Sequence, residues 1–234
     1  MELELEDKVV IVTGGSKGIG ESITRSFLAE GAHVVNVNRS TQAGETMEAE
    51  YRENGQQCLF VQGDLTHVDA CQSAVQRALD VFGRIDVLVN NAGVNDGVTL
   101  DAGPEEFTKS LQRNLIHYYS MLHYSLEALK ATHGVVVNIG SKVASTGQGG
   151  TSGYAAAKGA INGLTREWAV DLAPWNIRVN TVLPAETWTP LYAELLDQAE
   201  DPAAARQAIE QLIPLQNRFT TAQEIADMVV FLAS

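Results

Sequence analysis

At 234 residues with 45% apolar side chains, the chain suits one domain with a single large core. A formal net charge of −13 argues against nucleic acid and against an anionic membrane surface as partners, and reads as solubility. The two cysteines, Cys58 and Cys71, have no metal-ligand spacing around them, no apolar run approaches a membrane span, and the acidic start from Met1 to Asp7 lacks a signal peptide's layout, so a reduced, cytoplasmic protein without a metal is expected.

Lys8-Val-Val-Ile-Val-Thr13 is an apolar run of the kind covered on both faces in a parallel sheet. Gly14-Gly-Ser-Lys-Gly-Ile-Gly20 follows at once and opens a helical pattern through Glu30. Strand, glycine turn and helix in this order form a dinucleotide-binding layout, in which glycines let the backbone approach the pyrophosphate at the helix N-terminus. The spacing is Thr-Gly-x-x-x-Gly-x-Gly, so the generic Gly-x-Gly-x-x-Gly fingerprint is met only in outline. Gly31 to Asn38 is the second strand, and at its end an acidic residue would bond the adenosine ribose. Asn38 and Arg39 stand there instead. Arginine offers a planar fork to a 2′-phosphate, and Lys17 could reach the same group, which favours NADP over NAD; the alternative is that Arg39 is a solvated charge.

Thr41 to Asn54 is a polar helix that stops at Asn54-Gly55, and Gln57 to Val61 is a third strand ending in Gly63-Asp-Leu-Thr66. Asp64 suits a hydrogen bond to the adenine amino group, or equally a cap on the helix Val68 to Phe82. Ile85 to Val89 is a fourth strand leading into Asn90-Asn-Ala-Gly93, where small residues leave room for a ligand and asparagine amides can tie strands together. Pro104, Glu105 and Glu106 begin a long helix to about Lys130. Asn114 lies in its middle, a poor place for asparagine without a job or a polar partner. The cluster His117, Tyr118, Tyr119, His123 and Tyr124 reads as a subunit contact.

His133 to Gly140 is a buried strand, and Ala155 to Asp171 is an alanine-rich helix. Tyr154 and Lys158, four residues apart, share one face of that helix. Such spacing alone is common at surfaces, but an ammonium beside a phenol lowers a pKa that otherwise lies near about 10, which would make Tyr154 a general acid/base. Ser141 could hold the reacting oxygen. Asn176 to Leu183 is a sixth strand, residues 185–215 look like a substrate lid of weak periodicity, and Thr221 with Glu224 forms the capping-box pattern of a last helix to Ala233. The whole is one doubly wound α/β domain over residues 1–234, with a Rossmann-type parallel sheet.

With Thr13-Gly-x-x-x-Gly-Ile-Gly20, Asp64, Asn90-Asn-Ala-Gly93, Asn114, Ser141 and Tyr154-x-x-x-Lys158 all in order, the chain resembles the short-chain dehydrogenase/reductases over essentially its whole length. The resemblance implies a seven-stranded parallel sheet, a nicotinamide cofactor and a homotetramer (or homodimer) joined through long helices. It implies Tyr154 as acid/base, Ser141 as orienter of the reacting oxygen, Lys158 on the nicotinamide ribose and Asn114 as anchor of a relay water. By the same resemblance Gly14, Ser16, Lys17, Gly18, Ile19, Gly20, Asn38, Arg39, Asp64, Leu65, Asn91, Ala92, Gly93, Pro184 and Thr189 join Tyr154 and Lys158 in holding the cofactor. Ala185 departs from the usual glycine after the proline, and the chain stops at Ser234, where the family continues into a final strand.

More narrowly, Asn91-Ala-Gly-Val-Asn-Asp-Gly97, Asn114-Leu-Ile-His-Tyr-Tyr119, Thr146-Gly-Gln-Gly149 and Arg166-Glu-Trp168 look like bacterial L-fucose dehydrogenases. Oxidation of an aldose at its anomeric carbon to a lactone is therefore the leading expectation. Asn95, Asp96, Lys142, Gln148, Glu186 and Trp188 are the candidate sugar contacts, the indole stacking on a sugar face. The alternatives are an NADPH-dependent 3-oxoacyl-carrier-protein reductase, which needs a basic docking patch that this charge disfavours, and a cofactor-sensing module without catalysis, in which Tyr154 or Lys158 would be lost.

Overall fold

A computed structural model describes residues 2–234. Six strands, β1 (Val9–Thr13), β2 (His33–Asn38), β3 (Cys58–Gln62), β4 (Val87–Asn90), β5 (Val135–Ile139) and β6 (Arg178–Val182), pair in parallel in the order β3-β2-β1-β4-β5-β6. Every residue of β1, β4 and β5 is buried, which is why these strands read as unbroken apolar runs without alternation. The resemblance implies seven strands; the described residues form six, with β6 at one edge.

Helices cover both faces. α1 (Gly18–Ala29) and α9 (Ala222–Ala233) share a core with Val10, Val12, Val34, Val87 and Val137 on one side of the sheet. On the other side α3 (Val68–Phe82), α5 (His117–Thr132) and α6 (Ser152–Asp171) pack on Val9, Ile11, Val35, Leu88 and Val136. α2 (Thr41–Glu53) lies over β3, and the ring of Phe60 sits where a Cβ on Gly44 would be, so only glycine permits that approach. The Thr221–Glu224 capping box of α9 forms as the sequence predicts.

The long helix expected from Pro104 to Lys130 is instead α4 (Gly103–Leu111), a π-helical turn over Gln112–Ile116, and α5. The three follow one another without a break, which is why the sequence reads as one long helix. Residues 185–215 also depart from expectation. They hold α7 (Pro190–Leu196) and α8 (Pro202–Glu210), each started by a proline and capped by Thr189 or Asp201, and a short strand, β7 (Thr187–Trp188), that pairs with β8 (Thr220–Thr221) just beyond the segment. Little of either helix is buried: only Leu196 in α7 and nothing in α8.

At the N-terminal end of the sheet, Asp86 is 4% exposed and accepts from the Val9 amide at 2.9 Å and from both ends of the Arg84 fork at 2.9 and 2.6 Å. Removing this carboxylate strands the buried Val9 amide, while the half-exposed Arg84 falls back on water. Asp86→Ala is expected to cost about 2 kcal/mol in urea denaturation.

Candidate active site

The strand order reverses between β1 and β4, and the carboxyl ends of the strands there open into a cleft of about 620 Å³. Its inner floor is the glycine turn. Gly14 and Gly18 have φ of 67° and 57°, and a Cβ on Gly20 would stand 2.1 Å from the Gly14 carbonyl oxygen. Lys17 precedes α1 in extended conformation with no side-chain cap, so the first amides of the helix face the cleft for an anionic group to satisfy. Thr13 and Asn91 lock the neighbouring strand ends together: the Thr13 hydroxyl accepts from the Asn91 and Ala92 amides at 2.8 and 3.0 Å, and the Asn91 side chain donates to the Thr13 carbonyl at 2.8 Å. Asn90 donates to Asn138 at 3.0 Å, so the asparagines tie strands as their position suggested.

Gly14, Lys17, Gly18, Ile19, Gly20, Asn38, Arg39, Asp64, Leu65, Asn91, Ala92, Gly93, Pro184 and Thr189 all line this cleft. Ser16 does not. It is 6% exposed and accepts from Asn36 at 2.6 Å behind the turn, a structural tie that the loop sequence alone leaves unreadable. Asp64 accepts from the Thr66 amide and hydroxyl at 3.0 and 2.8 Å, fixing the turn before α3 without capping its first turn. Burial would raise the Asp64 carboxyl, but the Thr66 hydrogen bonds and the charge of Arg39 prevail and hold it below its ordinary range.

Tyr154 and Lys158 enter from α6 and Ser141 from the end of β5. Burial raises the Tyr154 phenol above its ordinary value, and the Ser141 hydroxyl offsets part of this. Burial also pulls Lys158, 2% exposed, down to about 7. Its Nζ lies 5.5 Å from the Tyr154 ring centroid and donates to the Ile139 carbonyl at 2.7 Å and to the Tyr118 hydroxyl at 3.0 Å. The spacing leads one to expect an ammonium that lowers Tyr154; in the structure burial is the larger effect, and the Ser141 hydroxyl is what opposes it. Asn114 sits in the π-helical turn, accepts from the Val94 amide at 2.7 Å and donates to the Ser110 carbonyl at 3.1 Å, so it does have the polar partners that its helical position demands.

At the outer end, Asn95, Lys142, Gln148 and Glu186 line the cleft, with Lys142 and Glu186 paired and Asn95 bonded to Thr151. Trp188 does not line it. The indole packs edge-on against Phe219 at 5.3 Å with Arg206 over its face at 4.1 Å, joining β7 to α8. Asp96 is turned away to Arg113 and Ser110 at 3.0 and 2.8 Å. The aromatic cluster of α5 splits. Tyr119 and His123 are exposed and stacked, whereas His117 and Tyr118 are buried beneath the site, which corrects their reading as a surface contact. Arg113 and His117 line the cleft: nothing in the sequence singles out Arg113 beyond its place beside Asn114, and His117 stands here and not in a subunit contact.

A family model for short chain dehydrogenases matches residues 8–200. Among curated relatives, an L-fucose dehydrogenase of Mus musculus is 36% identical over 97% of this chain and 82% of its own length. A 3-oxoacyl-acyl-carrier-protein reductase of Thermotoga maritima is 34% identical over 99% and 92%. Among solved structures, Cj0485 dehydrogenase superposes with a TM-score of 0.94 at 39% identity, covering 100% of this chain and 90% of its own. L-sorbose reductase from Gluconobacter frateurii, complexed with NADPH and L-sorbose, gives 0.95 at 26% identity, covering 100% and 92%. The chain belongs to the short-chain dehydrogenase family. It is an NAD(P)-dependent oxidoreductase acting on CH–OH groups.

His117 carries a pH signature. Its Nε2 lies 2.9 Å from the Arg113 carbonyl and therefore bears the proton, and burial depresses the ring to about 4. A depressed folded value means that the unfolded chain binds the extra proton first, so stability falls as pH drops from about 6.5 toward 4. The loss attributable to this ring is about 3 kcal/mol at most. Denaturation curves across that window should be steeper in pH for the wild type than for His117→Gln; parallel curves would show that the ring does not titrate as its burial requires.

Proposed function

We propose that the protein oxidises a cyclic aldose at its anomeric carbon, with L-fucose the leading candidate, using NADP in preference to NAD. The observation that carries this reading is the convergence of Tyr154, Ser141 and Lys158 on one cleft whose outer end is polar, with Asn95, Gln148 and the Lys142–Glu186 pair. Similarity to an L-fucose dehydrogenase over 97% of the chain supports the substrate class. Arg39 on the cleft wall, and a structural neighbour complexed with NADPH, support the cofactor preference.

When bound, the nicotinamide cofactor supplies the hydride acceptor. Gly14, Lys17, Gly18 and Gly20 would hold its pyrophosphate, Arg39 a 2′-phosphate, and Asp64 and Leu65 the adenine end. Lys158 would reach the nicotinamide ribose beside Gly93. Ser141 holds the sugar hydroxyl, and Tyr154 takes its proton as the carbon becomes a lactone carbonyl. Asn114 positions a water that carries the proton onward. Residues 185–215 form a lid over the sugar, and the polar outer groups fix its orientation. Exposed Phe107 on α4, Ile116 in the π-helical turn, Tyr119 on α5 and Val170 on α6 fit a homotetramer or homodimer. The proposed location is the cytoplasm. No helix among the described residues is long and apolar enough to cross a membrane.

The direct test follows reduced-nicotinamide absorbance with a panel of aldoses. Turnover on L-fucose and its stereochemical relatives is expected with NADP ahead of NAD, climbing as pH rises above neutral because Tyr154 must give up its proton. Arg39→Ala should erase most of the NADP advantage and leave NAD turnover nearly intact. Tyr154→Phe should cut turnover by a factor on the order of a thousand while NADPH binding persists. Silence on every sugar, with NADPH-dependent reduction of a 3-oxoacyl thioester, would instead establish the reductase that the Thermotoga relative exemplifies.

A further inference from the structure

Lys158 is 2% exposed, and among the described residues it forms no salt bridge with a carboxylate. Two oxygens receive its protons: the Ile139 carbonyl at 2.7 Å and the Tyr118 hydroxyl at 3.0 Å. Tyr118 donates in turn to the same carbonyl at 2.9 Å, which directs the lone pairs of its oxygen toward the lysine. The three groups close a triangle. Two of the three ammonium protons are spent on it, and the third is left for the cleft side, where Nζ borders Gly93.

The phenol of Tyr118 is hard to explain by packing. It is fully buried, and phenylalanine would fill the same volume without a hydroxyl to desolvate. The Ile139 carbonyl already has a donor in Lys158. What the hydroxyl adds is an acceptor for the amine.

We propose that Tyr118 is a positioning residue for the Tyr154–Lys158 dyad: its oxygen holds the Lys158 ammonium in place beneath Tyr154 and so favours the phenolate. The proposal rests on the reading of Tyr154 as the acid/base. The groups around the amine set the electrostatics. α6 presents Tyr154; α5 presents Tyr118 and His117, the latter neutral at working pH; and the turn after β3 presents Asp64, whose charge bears on His117. An oxygen that accepts from the ammonium keeps the proton on lysine, and a charged lysine favours a charged Tyr154. Without that oxygen the dyad drifts toward amine and phenol, and the phenolate forms only at higher pH.

The test is nitrogen NMR of isotopically labelled lysine side chains across pH in the whole protein, the Lys158 resonance being the one lost in Lys158→Met. Tyr118→Phe should move the Lys158 midpoint down by about one pH unit, as expected for losing one hydrogen bond to a charged group. The plateau of kcat/KM for oxidation of whichever substrate is turned over should fall by about tenfold with it, and Tyr119→Phe, on the exposed face, should change neither. If Tyr118→Phe does not fold, 3-fluorotyrosine at position 118 keeps the shape and hydroxyl but weakens the oxygen as an acceptor, and a smaller shift in the same direction is expected. An unmoved midpoint in a folded variant overturns the proposal, even if melting temperature falls. Full turnover in Tyr154→Phe would overturn the acid/base reading itself, a separate failure.

Discussion

A lysine amine buried without a carboxylate is the constraint on which this site turns. Water has been exchanged for two oxygens, which is poor compensation for a full charge, and the amine responds by holding its proton less tightly. The neighbouring phenol meets the same dry surroundings and holds its proton more tightly. The two groups are thus pushed toward a neutral pair, from which one proton shift makes a charged pair. On the proposed function, a dyad so balanced would serve both directions of an alcohol–carbonyl reaction: the neutral phenol would give a proton and the phenolate take one.

The fold supplies that environment through its sheet order. Parallel strands covered on both faces force their polar ends to one edge, and the reversal between β1 and β4 leaves a gap there. β5 and α6 bring Ser141, Tyr154 and Lys158 to one side of the gap, and the glycine turn forms the other. The π-helical turn at Gln112–Ile116 lets Asn114 face the Val94 amide while α5 continues beneath with His117 and Tyr118. One departure from regular helix therefore sets the angle of three polar residues under the site.

Strands, glycine turn and the Tyr154–Lys158 pairing on one helix face were legible because each is a local pattern with one physical meaning: apolar runs, positive φ, and two side chains a helical turn apart. Positions whose meaning depends on which way a side chain turns were not. Ser16 and Trp188 occupy loop positions from which either a ligand or the protein interior can be reached, and both turn inward or sideways, to Asn36 and to Phe219 and Arg206. Tyr118 and Tyr119 are adjacent and chemically identical, yet one is fully buried and the other 57% exposed. Only the helix phase after the π-helical turn separates them. The helices over 185–215 are short and almost unburied, and the prolines that start them read equally well as loop residues.

The central claim, that burial leaves the Lys158 amine with little hold on its proton, is tested most directly by nitrogen NMR of isotopically labelled lysine side chains across pH, with the Lys158 resonance assigned by its loss in Lys158→Met. A protonation midpoint near 7 is expected, far below the 10.5 of an ordinary lysine. A midpoint at the ordinary value would contradict it, and would mean that the two oxygens solvate the ammonium as well as water does.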